Sequence, residues 1–113
     1  LNLEGKVIGY ISDIQCSTCI DQELEFIKQF YGKDEFVLLA NYSSERDLKL
    51  YLLLRDFDLP TYLIKTPLSN LLNRFTNPTY FRIDVGSSPG AVFFASISTP
   101  NKSRQYHSIM SGK

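Results

Sequence analysis

Cys16 and Cys19 are the only two cysteines of the 113-residue chain, and Ser17 and Thr18 alone separate them. The short apolar run Val7-Ile8-Gly9-Tyr10-Ile11 precedes the pair, and a run with helical periodicity, Ile20 to Tyr31, follows it. A strand that ends in a Cys-x-x-Cys opening a helix puts both sulfurs at one exposed helix end. There the unpaired backbone N–H groups and the helix dipole favour a thiolate over a thiol. The thiolate is the species that attacks disulfides, so these residues point to thiol–disulfide exchange, with Gln15, Ser17 and Thr18 as the loop around the sulfurs. Two plainer readings compete, a purely structural disulfide and half of a metal site. Zinc needs about four ligands. The one imidazole, His107, lies far along the chain and there is no second Cys-x-x-Cys, so no metal is expected.

Those cysteines need a scaffold, and the composition allows one. Apolar residues make up 43 % of the chain and charged residues 21 %, which suits one soluble domain over residues 1–113 with a modest core. Twelve Lys and Arg balance twelve Asp and Glu and are scattered, which excludes an electrostatic case for nucleic acid or an anionic membrane surface. The longest apolar cluster, Leu48 to Leu54, is too short to span a bilayer and is broken by Lys49. The chain starts at Leu1 and is read as a mature protein or a domain of a longer precursor, with any membrane tether in a segment outside it.

The elements alternate. Val7 to Ile11 reads as a buried central strand, with Gly9 where a neighbour packs closely. Asp13 or Ser17 is expected to cap the helix that follows, whose core stripe is Ile20, Leu24, Ile27 and Tyr31. Glu35 to Tyr42 is a second buried strand, and Ser43 or Ser44 caps a helix running to about Phe57. Thr61 to Lys65 has strand character, Pro67 to Phe75 helical character, and Thr79 to Val85 alternates as a strand. Gly86 to Gly90 forms a turn into a strand from Ala91 to Ile97, and Asn101 to Met110 is a weak final helix. This order predicts an α/β fold. Its mixed sheet of four or five strands has parallel early strands, an antiparallel last pair, and helices on both faces.

Two stretches resemble a known family. Leu3-Glu4-Gly5-Lys6-Val7-Ile8, running on to Cys16-Ser17-Thr18-Cys19, is similar to the opening strand and Cys-x-x-Cys of thioredoxin-like proteins. Asn77-Pro78-Thr79-Tyr80-Phe81-Arg82-Ile83-Asp84 resembles the family's proline segment. The closest branch is the bacterial extracytoplasmic thiol–disulfide oxidoreductases, whose insertion Leu59 to Leu72 also resembles. The resemblance implies a thioredoxin fold, with Cys16 as the exposed nucleophile and Cys19 as the more buried resolving thiol. It implies that Pro78 is a cis-proline beside them and that Asn77 contacts substrate through its backbone. It further implies an enzyme exchanging disulfides with protein thiols outside the cytoplasm; the chemistry needs no cofactor, and a monomer is expected though the sequence does not fix the oligomeric state.

The chain also departs from the family's pattern. Gln15 stands where the family has Trp directly before the first cysteine, and Thr18 where the dipeptide ends in proline. Gln22, with Glu23 beside it, stands where relatives carry a Glu, and Tyr10 where thioredoxin has a buried Asp. These departures keep a second class open, a redox-inactive thioredoxin-like domain that binds peptides or proteins. A peroxidase of the peroxiredoxin type needs a proline and a Ser or Thr just before its cysteine; Ser12 is present and the proline is not. Elsewhere the plain readings are expected: Asp13 as a cap, Glu23 as a solvated helix residue, and His107 exposed near a polar C-terminus.

Overall fold

The computed structural model describes residues 5–64, 77–82 and 92–113. Among them run β1 (Val7–Ser12), α1 (Ser17–Phe30), β2 (Phe36–Asn41), α2 (Glu45–Leu54), β3 (Thr61–Leu63), β4 (Thr79–Arg82), β5 (Phe93–Phe94) and α3 (Pro100–Ser111). The strands form one mixed sheet in the order β3-β2-β1-β4-β5. β1 and β2 pair in parallel from Val7 opposite Phe36 to Ser12 opposite Asn41, and β3 continues the parallel run beside β2. β4 lies antiparallel to β1, and β5 antiparallel to β4. The expected helix from Pro67 to Phe75, the turn from Gly86 to Gly90 and the end of the Thr79–Val85 strand lie outside the described residues.

All six residues of β1 are buried, so both faces of the sheet's centre are covered. Alternation along the strands sends Gly9 and Ile11, with Phe36, Leu38, Ala40 and Tyr80, toward α1. Ile8, Tyr10 and Val37 face the other way and are equally buried. Gly9 is required by this packing. A methyl group there would lie 2.6 Å from the Phe36 ring and 3.0 Å from the Tyr80 ring.

The β1–α1–β2 and β2–α2–β3 crossovers step in the same direction, and right-handed connections then put α1 and α2 on one face. Side chains join the two helices there. Arg55 Nε donates to Asp21 at 2.6 Å, the Tyr51 hydroxyl also reaches the Asp21 carboxylate, and Lys28 Nζ donates to the Arg55 carbonyl at 2.9 Å. The expected stripe Ile20, Leu24, Ile27 and Tyr31 is buried, and α3 packs against α1 on the same face.

Between α1, α3 and β4 lies a polar cluster at odds with two sequence expectations. Glu23 is not solvated: it is 1 % exposed. His107 is not exposed: none of its surface reaches solvent. His107 Nε2 lies 3.1 Å from Glu23 Oε1, the Tyr80 hydroxyl donates to the same oxygen at 2.7 Å, and the Tyr31 hydroxyl meets His107 Nδ1 at 2.8 Å. Glu23 Oε1, His107 and the Tyr80 hydroxyl are buried against one another, with partners from three elements, while Glu23 Oε2 has no hydrogen-bond partner among the described residues. Periodicity within one helix cannot show a partner 84 positions away.

Two predictions follow from these contacts. Glu23→Ala leaves His107 and Tyr80 without their buried acceptor, and should lower unfolding free energy by about 3–5 kcal/mol, the usual cost of breaking one side of a buried pair; urea titration checks this. On the surface, the Arg55 hydrogen bond holds the Asp21 carboxyl below its ordinary value, against the opposing pull of burial. A lowered folded-state value adds stability above the unfolded value of about 3.9, and that stability is lost as pH falls through the carboxylate range. The urea midpoint of Asp21→Asn should therefore fall less between pH 7 and pH 3 than that of the wild type.

Candidate active site

β1 delivers the chain to the start of α1, and the residue at that junction is Cys16. Cys16 itself caps α1, with an extended backbone and its Sγ accepting from the Cys19 N–H at 3.3 Å. Neither Asp13 nor Ser17 does so. Asp13 turns the other way, and its carboxylate accepts from the backbone N–H and the hydroxyl of Ser43, both at 3.0 Å. That contact braces the loop against the end of β2.

The two sulfurs differ in setting. Cys16 is exposed and Cys19 is buried, both as free thiols. Hydrogen bonding from Cys19, side chain and then backbone, lowers the Cys16 value and outweighs slight desolvation; Thr18 adds to the lowering. Burial is the main cause that raises Cys19, and the hydrogen bond and charge of Cys16 add to it, while the Ile97 backbone acts in the opposite sense. The pair thus holds its negative charge on the exposed sulfur, where the helix N-terminus favours it. Among the described residues no three His, Cys, Asp or Glu side chains gather to hold a metal ion.

Gln15 joins this loop to the proline segment. It is buried, and its Nε2 donates to the Asn77 carbonyl at 3.0 Å. The same carbonyl accepts from the Thr79 hydroxyl at 2.9 Å, and the Pro78 carbonyl accepts from the Ala95 N–H at 2.9 Å. Asn77 is half-buried and Pro78 buried. Gln15 thus ties the loop that carries Cys16 to Asn77, the residue before Pro78, while Ser17 and Thr18 lie exposed at the helix start. Both carbonyls of the Asn77–Pro78 step are already engaged within the protein.

Sequence reasoning passed over two neighbours of the sulfurs. Ile97 reaches Cys19 through its backbone and is itself 43 % exposed, and Ile14 is 65 % exposed two residues before Cys16. An isoleucine inside the polar loop Ser12 to Gln15 was the available signal; Ile97 had none, because only the return of the chain after β5 brings it there.

A mixed sheet in this order, with a Cys-x-x-Cys capping the helix after its central strand, is the thioredoxin fold, and solved structures bear this out. A secreted Mycobacterium tuberculosis disulfide oxidoreductase homologous to E. coli DsbE superimposes with a TM-score of 0.64 at 10 % identity, over 95 % of this chain and 84 % of that one. A thioredoxin-family thiol:disulfide interchange protein of Chlorobium tepidum gives 0.57 at 18 % identity, over 93 % and 81 %. The exposed lipoprotein thioredoxin of Streptococcus pneumoniae gives 0.56 at 18 % identity, over 88 % and 87 %. No protein-family model and no curated protein matches the sequence. Likeness at these identities establishes the fold, and the chemistry rests on the residues of the site.

The asymmetry of the sulfurs sets an order of reaction with alkylating agents. Cys16 should be labelled by iodoacetamide with a pH midpoint below the ordinary thiol value of about 8.5, and Cys19 with a midpoint above it. Peptide mapping by mass spectrometry across pH 5 to 10 checks this, and equal midpoints would contradict the arrangement.

Proposed function

We propose that this chain is a thiol–disulfide oxidoreductase of protein substrates, with Cys16 as nucleophile and Cys19 as resolving thiol, working outside the cytoplasm. The observation that carries this is the exposed Cys16 Sγ at the N-terminus of α1, hydrogen-bonded by the Cys19 N–H and favoured as a thiolate. The location is supported by likeness to a secreted protein and to an exposed lipoprotein.

In the reductive direction the Cys16 thiolate attacks one sulfur of a substrate disulfide. A Cys16–substrate S–S bond forms, and the other substrate sulfur leaves as a thiolate and takes up a proton. Cys16 then carries no charge, so its contribution to the raised Cys19 value disappears. Cys19 gives up its proton and attacks Cys16 Sγ. The Cys16–Cys19 bond forms, the second substrate sulfur leaves, and two electrons have passed to the substrate. The reverse sequence oxidises a dithiol.

Cys19→Ser removes the resolving sulfur and retains the attacking one. Incubated with a disulfide-bonded protein, it should accumulate a mixed disulfide that migrates as a larger species on a non-reducing gel and disappears with dithiothreitol. A folded variant that captures no disulfide-bonded protein, with the wild type equally inert, would instead favour a binding domain of the same fold.

A further inference from the structure

Gln15 occupies the position directly before the nucleophile, yet its side chain does not face solvent. It turns inward, 6 % exposed, and gives its amide N–H to the Asn77 carbonyl across 62 positions of sequence. The loop carrying Cys16 is held on two sides. Asp13 ties it to Ser43 after β2, at the surface. Gln15 ties it to the segment that enters β4. The Asn77–Pro78 peptide unit has no N–H, so its carbonyl is its only polar group. Gln15 and Thr79 both donate to it.

We infer that Gln15 is a positioning residue that sets the distance between Cys16 and the Asn77–Pro78 segment, and so favours peptide disulfides over small ones. The inference rests on the oxidoreductase reading and deepens it. A peptide disulfide must fit its flanking backbone between the two loops while one sulfur lies in line with Cys16 Sγ. A small disulfide needs only access to the sulfur, which Cys16 already offers. Fixing the two walls therefore lowers the ordering cost for the peptide alone. Gln15 accomplishes this from inside the protein: with the Asn77 carbonyl already engaged, the segment cannot offer that acceptor to an incoming strand. What it keeps is a defined position.

The test compares reduced wild type with Gln15→Met, which keeps the side-chain length and removes the donor. The Asn77 carbonyl retains Thr79, so the segment keeps one of its two ties. Stopped-flow rates are read with insulin as the peptide disulfide and with dithiobis(nitrobenzoate) as the small one. The insulin rate should fall about tenfold further than the small-disulfide rate, a difference equivalent to about 1.4 kcal/mol, while the pH midpoint of Cys16 stays in place. Gln15→Glu gives a second readout. Its carboxylate cannot donate at pH 7 and repels the Asn77 carbonyl, so its ratio of insulin rate to small-disulfide rate should fall at least as far as that of Gln15→Met. On protonation it regains a donor, and the ratio of insulin rate to small-disulfide rate should recover as pH falls through the carboxyl range. That ratio cancels the changing thiolate fraction. Equal losses toward both disulfides, or no loss toward either, would overturn the positioning role while leaving the oxidoreductase reading in place. A wild type inert toward both would overturn that reading, and this inference with it.

Discussion

The seating of α1 on the centre of the sheet is the constraint from which the rest follows. β1 is buried along its whole length, so it must be covered on both faces, and its middle residue is a glycine because two aromatic rings close over it. Phe36 and Tyr80 fill the space a side chain at Gly9 would take, and the apolar side of α1 lies beyond them. With strand and helix fixed this closely, the junction between them has little freedom. Cys16 falls at that junction, and its sulfur becomes the helix cap because no other side chain takes the place. The position of the nucleophile is therefore a consequence of core packing as much as of local sequence.

The polar cluster of Glu23, His107, Tyr80 and Tyr31 has a different part in the same assembly. Apolar packing is tolerant of small slips, whereas a buried carboxylate and imidazole must meet their partners or incur a large desolvation cost. Here the partners come from α1, α3 and β4, so a shift of any one leaves the others unsatisfied. The hydrogen-bonded set thus specifies how α3 docks. Tyr80 also lies two residues after Pro78, which ties the docking of the C-terminal helix to the strand that carries the proline segment.

At the sulfurs the same fold produces an electrical asymmetry. The exposed Cys16 has the helix N-terminus and the Cys19 N–H beside it, and Cys19 is raised chiefly by burial and next by its bond to Cys16. Anything that favours a thiolate at Cys16 stabilises the dithiol form relative to the disulfide and shifts the pair toward oxidising behaviour. The chain reaches this arrangement without the tryptophan, the dipeptide proline or the strand aspartate of the family it resembles. Gln15 and Tyr10, which stand at two of those places, are both buried and hydrogen-bonded within the protein, to Asn77 and Asn41.

By itself the sequence determined what depends on near neighbours along the chain: the apolar runs of β1 and β2, the stripe of α1, a serine cap of α2 at Ser43 or Ser44, and a Cys-x-x-Cys at the start of a helix. Periodicity and cap chemistry act over one or two turns, so these are legible without a fold. The parallel run of the early strands and the antiparallel last pair were legible too, from helices alternating with the early strands and from the close spacing of the late ones, whereas the order of the strands across the sheet was decided by the fold. What only the tertiary structure decided involves partners distant in sequence. Glu23 and His107 read as solvated groups, and become core residues because two helices bring them together. Asp13 read as a cap, and instead braces the loop to Ser43. Gln15 read as one member of the loop around the cysteines, and its tie to Asn77 exists only once β4 lies beside β1. A polar side chain takes the best donor or acceptor that reaches it in space, and which one that is depends on the folded arrangement of the whole chain.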